Sequence, residues 1–305
     1  MWKNYQDHLE IGTIYVTLFP ETLKDEESIL PAIDLLIRDI FFDRIELGYI
    51  QDKVIRDELK RRLKISRIKT TYVAQPRIFG MDLNLNSLDE RKREEALIQL
   101  KKCMEEALEM GSDSMAFCSG PWVNEQKEEA KAALVSSIIE LDAYAKELNL
   151  KLFLEVYDFN VERNRLLGTT IDTLAVAKSL EDKVTNFSLM IDLSHIPLLR
   201  ETIQESVLPL QGKIGHVHIG NGVINQEDPR YGDRHPYFGY PNGSNDVKEV
   251  AEFLKALADI GYLKQNGKAS LSIEIIKGDG ERAEDLVMNA KRTLKEAWYL
   301  FANMF

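Results

Sequence analysis

FSLMIDLSHIPLLRETIQESVLPLQGKIGHVHIGN, Phe187 to Asn221, decides the fold. It opens on a short apolar run, passes through a segment of helical period and ends on a second apolar run. The two runs read as strands, Phe187–His195 and Ile214–Asn221, and Leu199–Leu210 between them reads as a helix. A strand, a connecting helix and a further strand form the unit from which parallel sheets are built. Both strands also carry ionisable groups late in their length, Asp192 in one and His216 and His218 in the other.

Working outward in both directions, the same unit repeats. Strands are predicted at Ile11–Thr17, Arg44–Ile50, Arg67–Gln75, Ser114–Gly120 and Leu150–Asp158 on one side, and at Lys268–Ile276 on the other. Helices are predicted over Glu27–Ile40, Asp52–Ile65, Ser87–Met110, Asn124–Asn149, Thr170–Val184, Asn245–Leu263 and Glu281–Asn303. Ser28 stands where a helix cap belongs, Gly111 follows the third of these helices as a stop, and Pro76 to Asn86 reads as a loop. Eight strand–helix units in strict alternation predict an α/β fold, a single (β/α)8 TIM barrel, with residues 1–305 as one domain. A doubly wound open sheet is the competing fold. It calls for a glycine-rich phosphate turn after the first strand, where this chain has TLFPETLKD.

Of 305 residues, 44% are hydrophobic and 29% charged, an ordinary composition for a chain that folds around a core. The net charge of -11 opposes binding to phosphate backbones, and the basic run Lys60-Arg61-Arg62 falls on the solvent face of a helix. No nucleic-acid partner is expected. Two cysteines, Cys103 and Cys118, make no disulfide framework and fit a reducing, cytoplasmic setting. The polar N-terminus and the lack of an apolar run near ~20 residues predict no membrane association.

Strand side chains alternate between faces. Phe153, Glu155 and Tyr157 therefore share one face, as do Met190, Asp192 and Ser194, then His216, His218 and Gly220, then Ser272, Glu274 and Ile276. A carboxylate on the packed inner face of a barrel is costly unless it is paired or bound to a cation. Barrel chemistry also sits at the C-terminal strand ends. Glu155, Asp192, His218 and Glu274 at that level predict a divalent-metal site, with Mn²⁺ favoured among Mn²⁺, Co²⁺, Mg²⁺ and Zn²⁺. The competing reading for Glu155 is an ion pair with an arginine. His216 lies deeper in its strand and reads as a support or core residue, His8 as a surface residue and Cys118 as a small barrel filler. Glu46 either holds substrate or pairs with a barrel lysine. Trp122 is either a pocket floor against a sugar face or a packing residue. Lys277 is placed to touch an anion.

At these residues the chain resembles the xylose-isomerase-like barrel superfamily, which includes sugar isomerases, ketose 3-epimerases, inosose dehydratases and type-four apurinic endonucleases. LEVYD resembles its fifth-strand Glu motif, MIDLSH its sixth-strand Asp-x-x-His, HVHIGNG its seventh-strand His-x-His, and SIEII its eighth-strand Glu. The resemblance implies that Glu155 is a ligand and catalytic base, that Asp192, His218 and Glu274 are ligands, and that His195 lies near metal or substrate. Two departures stand out. The arginine that follows the seventh strand in the ketose epimerases is missing, with Arg230 and Arg234 the next available. Gly232-Asp233-Arg234-His235 resembles the Asp-x-His of the endonuclease branch, yet no histidine follows the third or fourth strand. Asp233, Arg234 and His235 are accordingly expected to contact substrate, with His195, Glu46 and Trp122.

The resemblance implies a metal-dependent isomerase or epimerase acting on a sugar, sugar phosphate or cyclitol, with Glu155 and Glu274 as an acid/base pair on opposite faces of the substrate. An inosose-type dehydratase on the same metal and a non-catalytic sugar-binding barrel are the alternatives. The chain is open to homo-oligomerisation.

Overall fold

In a computed structural model, which describes residues 2 and 4–304, eight parallel strands follow one another in chain order and close into a barrel. They are β1 (Leu9–Ile14), β2 (Arg44–Leu47), β3 (Lys69–Val73), β4 (Ser114–Cys118), β5 (Lys151–Glu155), β6 (Phe187–Asp192), β7 (Ile214–Ile219) and β8 (Ala269–Ile273). Closure is made by β1 against β8, in register from Leu9↔Ala269 to Thr13↔Ile273. The helices are α1 (Tyr15–Leu18), α2 (Ile29–Arg38), α3 (Lys53–Ser66), α4 (Gln75–Gly80), α5 (Glu90–Met110), α6 (Lys127–Glu147), α7 (Thr170–Ser179), α8 (Ile196–Leu199), α9 (Ile203–Val207), α10 (Val247–Asp259) and α11 (Ala283–Ala302). None is long and apolar enough to cross a membrane among the described residues. The alternation of short apolar runs with amphipathic segments thus gives the (β/α)8 architecture that the sequence predicts.

The chain divides into two compact units, Leu47–Tyr49 with Lys69–Met190, and the remainder. In the first, β3, β4, β5 and the start of β6 pair in parallel, with Cys118↔Glu155 and Glu155↔Met190 as register partners. Ala116, Phe153 and Met190 pack together as buried residues. This is the inward face that alternation assigns to Phe153 and Met190, so Glu155, two residues past Phe153, lies on it as well. α5 starts from Asp89, whose carboxylate caps the Arg91 N–H, and stops at Gly111 with φ 78°. That conformation is the left-handed one glycine adopts without a side-chain clash.

In the second unit β7 pairs with β8, and Trp2, His8, Trp298 and Phe301 form an aromatic cluster. His8 is therefore buried rather than at the surface. Its ring stacks on Trp298 at 5.6 Å and its Nδ1 lies 3.0 Å from the Lys264 carbonyl.

Three other elements differ from expectation. β1 ends at Ile14, where the chain turns directly into α1. Gln75–Gly80 is a helix, because Pro76 sits in its first turn, where a missing N–H costs nothing. The predicted helix Leu199–Leu210 is broken. Arg200 takes a left-handed φ of 59°, Thr202 and Glu205 form a capping box that starts α9 afresh, and Pro209 lies in a final single turn.

Candidate metal centre

Asp192 is the last residue of β6 and is 1% exposed. Its Oδ1 accepts the Ser194 backbone N–H at 2.7 Å, while Oδ2 is buried without a hydrogen-bond partner. That oxygen lies 3.8 Å from His218 Nδ1, 3.9 Å from His235 Nδ1 and 4.0 Å from His195 Nε2. All three distances exceed a hydrogen bond. His235 Nδ1 is likewise buried without a partner. Burial works to raise the Asp192 carboxyl, but the charges of His195, His235 and His218 outweigh it and hold it below the usual range.

His218, on β7, is held from two sides. Its Nδ1 lies 2.9 Å from Glu274 Oε2 and its Nε2 lies 3.0 Å from Glu46 Oε1. Glu46 Oε1 also receives His216 Nε2 at 2.8 Å, and His216 Nδ1 meets Ser270 Oγ at 2.9 Å. Burial opposes ionisation of both Glu46 and His218. The two imidazoles nevertheless keep Glu46 well below the usual carboxylate range, and the Glu46 charge with the Glu274 hydrogen bond keeps His218 well above the usual imidazole range. His216, by contrast, is lowered by burial. These distances pair Glu46 with imidazoles rather than with the barrel lysine that was one of its two readings. His216, expected as a support or core residue, is fully buried against Glu46 and Ser270.

The loop after β7 brings two more groups. Asp233 Oδ1 stands 2.9 Å from His195 Nε2 and 2.6 Å from His235 Nε2. Burial works against charge on both partners, yet Asp233 stays well below its usual range and His235 is raised to about 9 by Glu274 and Asp233. Backbone bridges Val223↔Gly232 and Val223↔Gly243 hold the loop, and Asn245 Nδ2 ties it to the Leu193 and Gly220 carbonyls at 3.1 and 3.0 Å. Gly220 is required by close approach. A Cβ there would meet His235 Nδ1 at 2.8 Å and the Glu274 carbonyl at 2.9 Å.

Ligand-capable atoms of Asp192, His218 and Glu274 lie within 4.8 Å of one another, as do those of Asp192, His195 and His235, and those of Glu46, His216 and His218. Orphaned Asp192 Oδ2 among imidazole nitrogens is a donor set that fits a divalent cation. Glu155, at the end of β5, is 2% exposed and accepts Gln75 Nε2 at 2.7 Å. Gln75 was not singled out in the sequence; its place at the end of the third strand run was the available signal. Trp122 packs on Phe159 at 4.9 Å with Lys127 Nζ 4.0 Å above its ring. Arg234 is exposed, and Lys277 pairs with Glu21 at 2.9 Å. Both thiols are buried, with Cys103 pushed up to about 11 and Cys118 to about 12, chiefly by burial.

A closed barrel of eight parallel strands whose C-terminal ends gather carboxylates and imidazoles defines a barrel built around a metal-capable mouth. The family model described as xylose isomerase-like TIM barrel matches residues 35–297, and the chain belongs to that family. No curated protein matches the sequence. Among solved structures, a D-tagatose 3-epimerase-like protein is 21% identical, with 97% of this chain and 99% of that one covered and a TM-score of 0.72. The IOLI protein with a binding zinc atom is 20% identical over 97% and 99%, with a TM-score of 0.72. D-allulose 3-epimerase from Methylomonas sp. is 18% identical over 97% and 100%, with a TM-score of 0.70.

Proposed function

We propose that the protein is a divalent-metal-dependent isomerase or epimerase of a sugar, sugar phosphate or cyclitol, with Glu155, Asp192, His218 and Glu274 as the metal ligands. The carrying observation is the buried, unpartnered Oδ2 of Asp192 among three imidazole nitrogens. Glu155 joins the set by register, since it pairs with Met190 and shares the inward face with Asp192. The names of the structural neighbours, ketose 3-epimerases among them, agree with this reading.

The mixture of oxygen and imidazole donors suits Mn²⁺ first, with Co²⁺, Mg²⁺ and Zn²⁺ as alternatives. The bound cation would stabilise negative charge on the substrate's carbonyl and hydroxyl oxygens. The protein's own part is proton transfer. Glu155 removes the proton on carbon next to the carbonyl, Gln75 orients its carboxylate, and Glu274 returns a proton from the opposite face. His195, Asp233 and His235 hold substrate hydroxyls beside them, with Arg234 at the rim.

The test is Glu155→Gln and Glu274→Gln, each expected to lower kcat at least about 10³-fold with the fold intact by circular dichroism. Full activity in either variant overturns the assignment. A dehydratase is the second reading, favoured by His235, whose imidazole at about 9 stays protonated and able to donate to a departing hydroxyl. Proton NMR in D₂O separates the two. Isomerisation or epimerisation washes deuterium into a substrate carbon, whereas a dehydratase gives a new carbonyl compound. A purified protein that neither holds nor takes up a divalent ion is the signature of a non-catalytic barrel.

A further inference from the structure

The loop after β5 folds back along the end of β4. Trp122 N–H donates to the Asn164 carbonyl at 2.8 Å, Leu166 N–H to the Gly120 carbonyl at 3.0 Å, and Pro121 and Arg165 form an antiparallel bridge. The loop thereby carries Arg165 to the C-terminal ends of these strands. Its guanidinium carbon lies 4.6 Å from the centroid of the Phe79 ring, and that of Arg163 lies 5.1 Å from the same ring. Both guanidinium groups thus stand within cation–π distance of one ring, which keeps two positive charges close to the end of β4.

Arg165 has no acceptor for that charge. Its Nε and Nη1 are buried without a hydrogen-bond partner, and among the described residues no carboxylate stands within ion-pair distance of it. Asp158, an acid of the same loop, is fully buried and occupied by the N–H groups of Val161, Glu162 and Arg163 at 2.6, 2.9 and 2.7 Å. A buried donor left unmade is costly, so an arginine in this state is poised for an acceptor that arrives from outside.

The position of that acceptor relative to Glu155 is set by α4. Gln75, which donates to Glu155, and Phe79, on which Arg165 lies, are four residues apart and share one face of the helix. They are neighbours one turn apart, roughly 5–6 Å between Cβ atoms. The charges of Arg165, Glu155 and Arg163 all act on the Cys118 thiol, whose residue pairs in register with Glu155, which places them around the same strand ends.

We infer that Arg165 receives an anionic group at the end of the substrate remote from the reacting carbon, a carboxylate or a phosphate, and so selects an acidic sugar over a neutral one. The inference rests on the assignment of Glu155 to a sugar-binding site. Phe79 and the edge of Tyr157, 6.0 Å from its ring, supply the apolar wall against the intervening carbon chain. Planar, forked donors of this kind take carboxylate and phosphate oxygens in pairs.

The test is titration calorimetry of the Mn²⁺-loaded protein with D-fructose, D-tagatose, their C6-carboxylate forms and their 6-phosphates. At least one charged form is expected to bind about 10- to 100-fold more tightly than its neutral parent, the range of a charged hydrogen bond. Whether the carboxylates or the phosphates show it names the group. Arg165→Gln should bring the ratio towards one, and Arg165→Lys, which keeps the charge without the fork, should retain part of it. A wild-type protein that binds neutral and charged forms equally overturns the anion subsite and leaves the sugar reading standing. Failure to bind any of these sugars overturns both. Should Arg165→Gln not fold, the wild-type preference and the Arg165→Lys ratio still decide the matter.

Discussion

On the proposed metal reading, His218 is a side chain whose surroundings hold it ready for a cation. The Glu46 carboxylate lies on Nε2 and fixes the ring so that Nδ1 faces Asp192 and Glu274. Glu46→Gln keeps the shape but removes the charge, and is expected to weaken cation binding by about 10- to 100-fold, read by competition with a chromophoric chelator. Unchanged affinity would show that Glu46 does not orient the ligand. The late-strand positions of Asp192, His218 and Glu274 were legible in sequence, because strand period and strand end are both local properties. The partner of Glu46 was not, since His216 lies 170 residues away and only barrel closure brings the two together. His8 was misplaced for the same reason. Its burial is created by Trp298 near the other end of the chain.

At the level of elements, strands and long helices followed from period, and short pieces did not. α4, α8 and α9 have four to six residues, too few for a helical period to show, and α4 and α8 each carry a proline in the first turn. α6 and α7 are joined by Asp172, 7% exposed, with Lys127 Nζ at 2.5 Å, Lys131 Nζ at 3.2 Å and Thr169 Oγ1 at 2.7 Å. Burial raises the Asp172 carboxyl, but these partners outweigh it and lower it. Asp172→Asn should cost about 2 kcal/mol near pH 7 in urea unfolding. A carboxyl lowered by folding contributes fully above its unfolded value of about 3.9 and loses that contribution as pH falls through its folded value. The difference between variant and wild type should therefore close in acid, below about pH 4. A difference that persists there would point to packing rather than charge. Asn245 joins another set of elements, holding the loop that bears His235 to the ends of β6 and β7. Asn245→Ala should cost about 2 kcal/mol or more and weaken cation binding together with stability. Stability lost with cation affinity intact would separate the loop from the site.

For the molecule as a whole, a net charge of -11 combines with Glu46, Asp192 and Asp233, all buried at one end of the strands. Imidazoles offset those carboxylates among the described contacts, so on the proposed metal reading cation binding should be coupled to folding. Mn²⁺ at about 100 times its Kd should stabilise the fold by about 2.7 kcal/mol, and Tm should rise by about 5–10 °C, reversed by chelator. A Tm indifferent to Mn²⁺, Co²⁺, Mg²⁺ and Zn²⁺ would remove the metal from the account.

The two cysteines have a practical consequence. Both thiols are fully enclosed and held protonated, at about 11 and about 12, so neither offers the thiolate that alkylating reagents and oxidants attack. The folded protein should store without reductant and give almost no colour with a disulfide dye. Cys103 lies on the buried face of α5 and Cys118 at the end of β4, so each becomes reactive only when its surroundings open. Labelling rates at the two sulfurs, resolved by peptide mass, would act as paired clocks, one for helix detachment and one for rupture of the barrel wall.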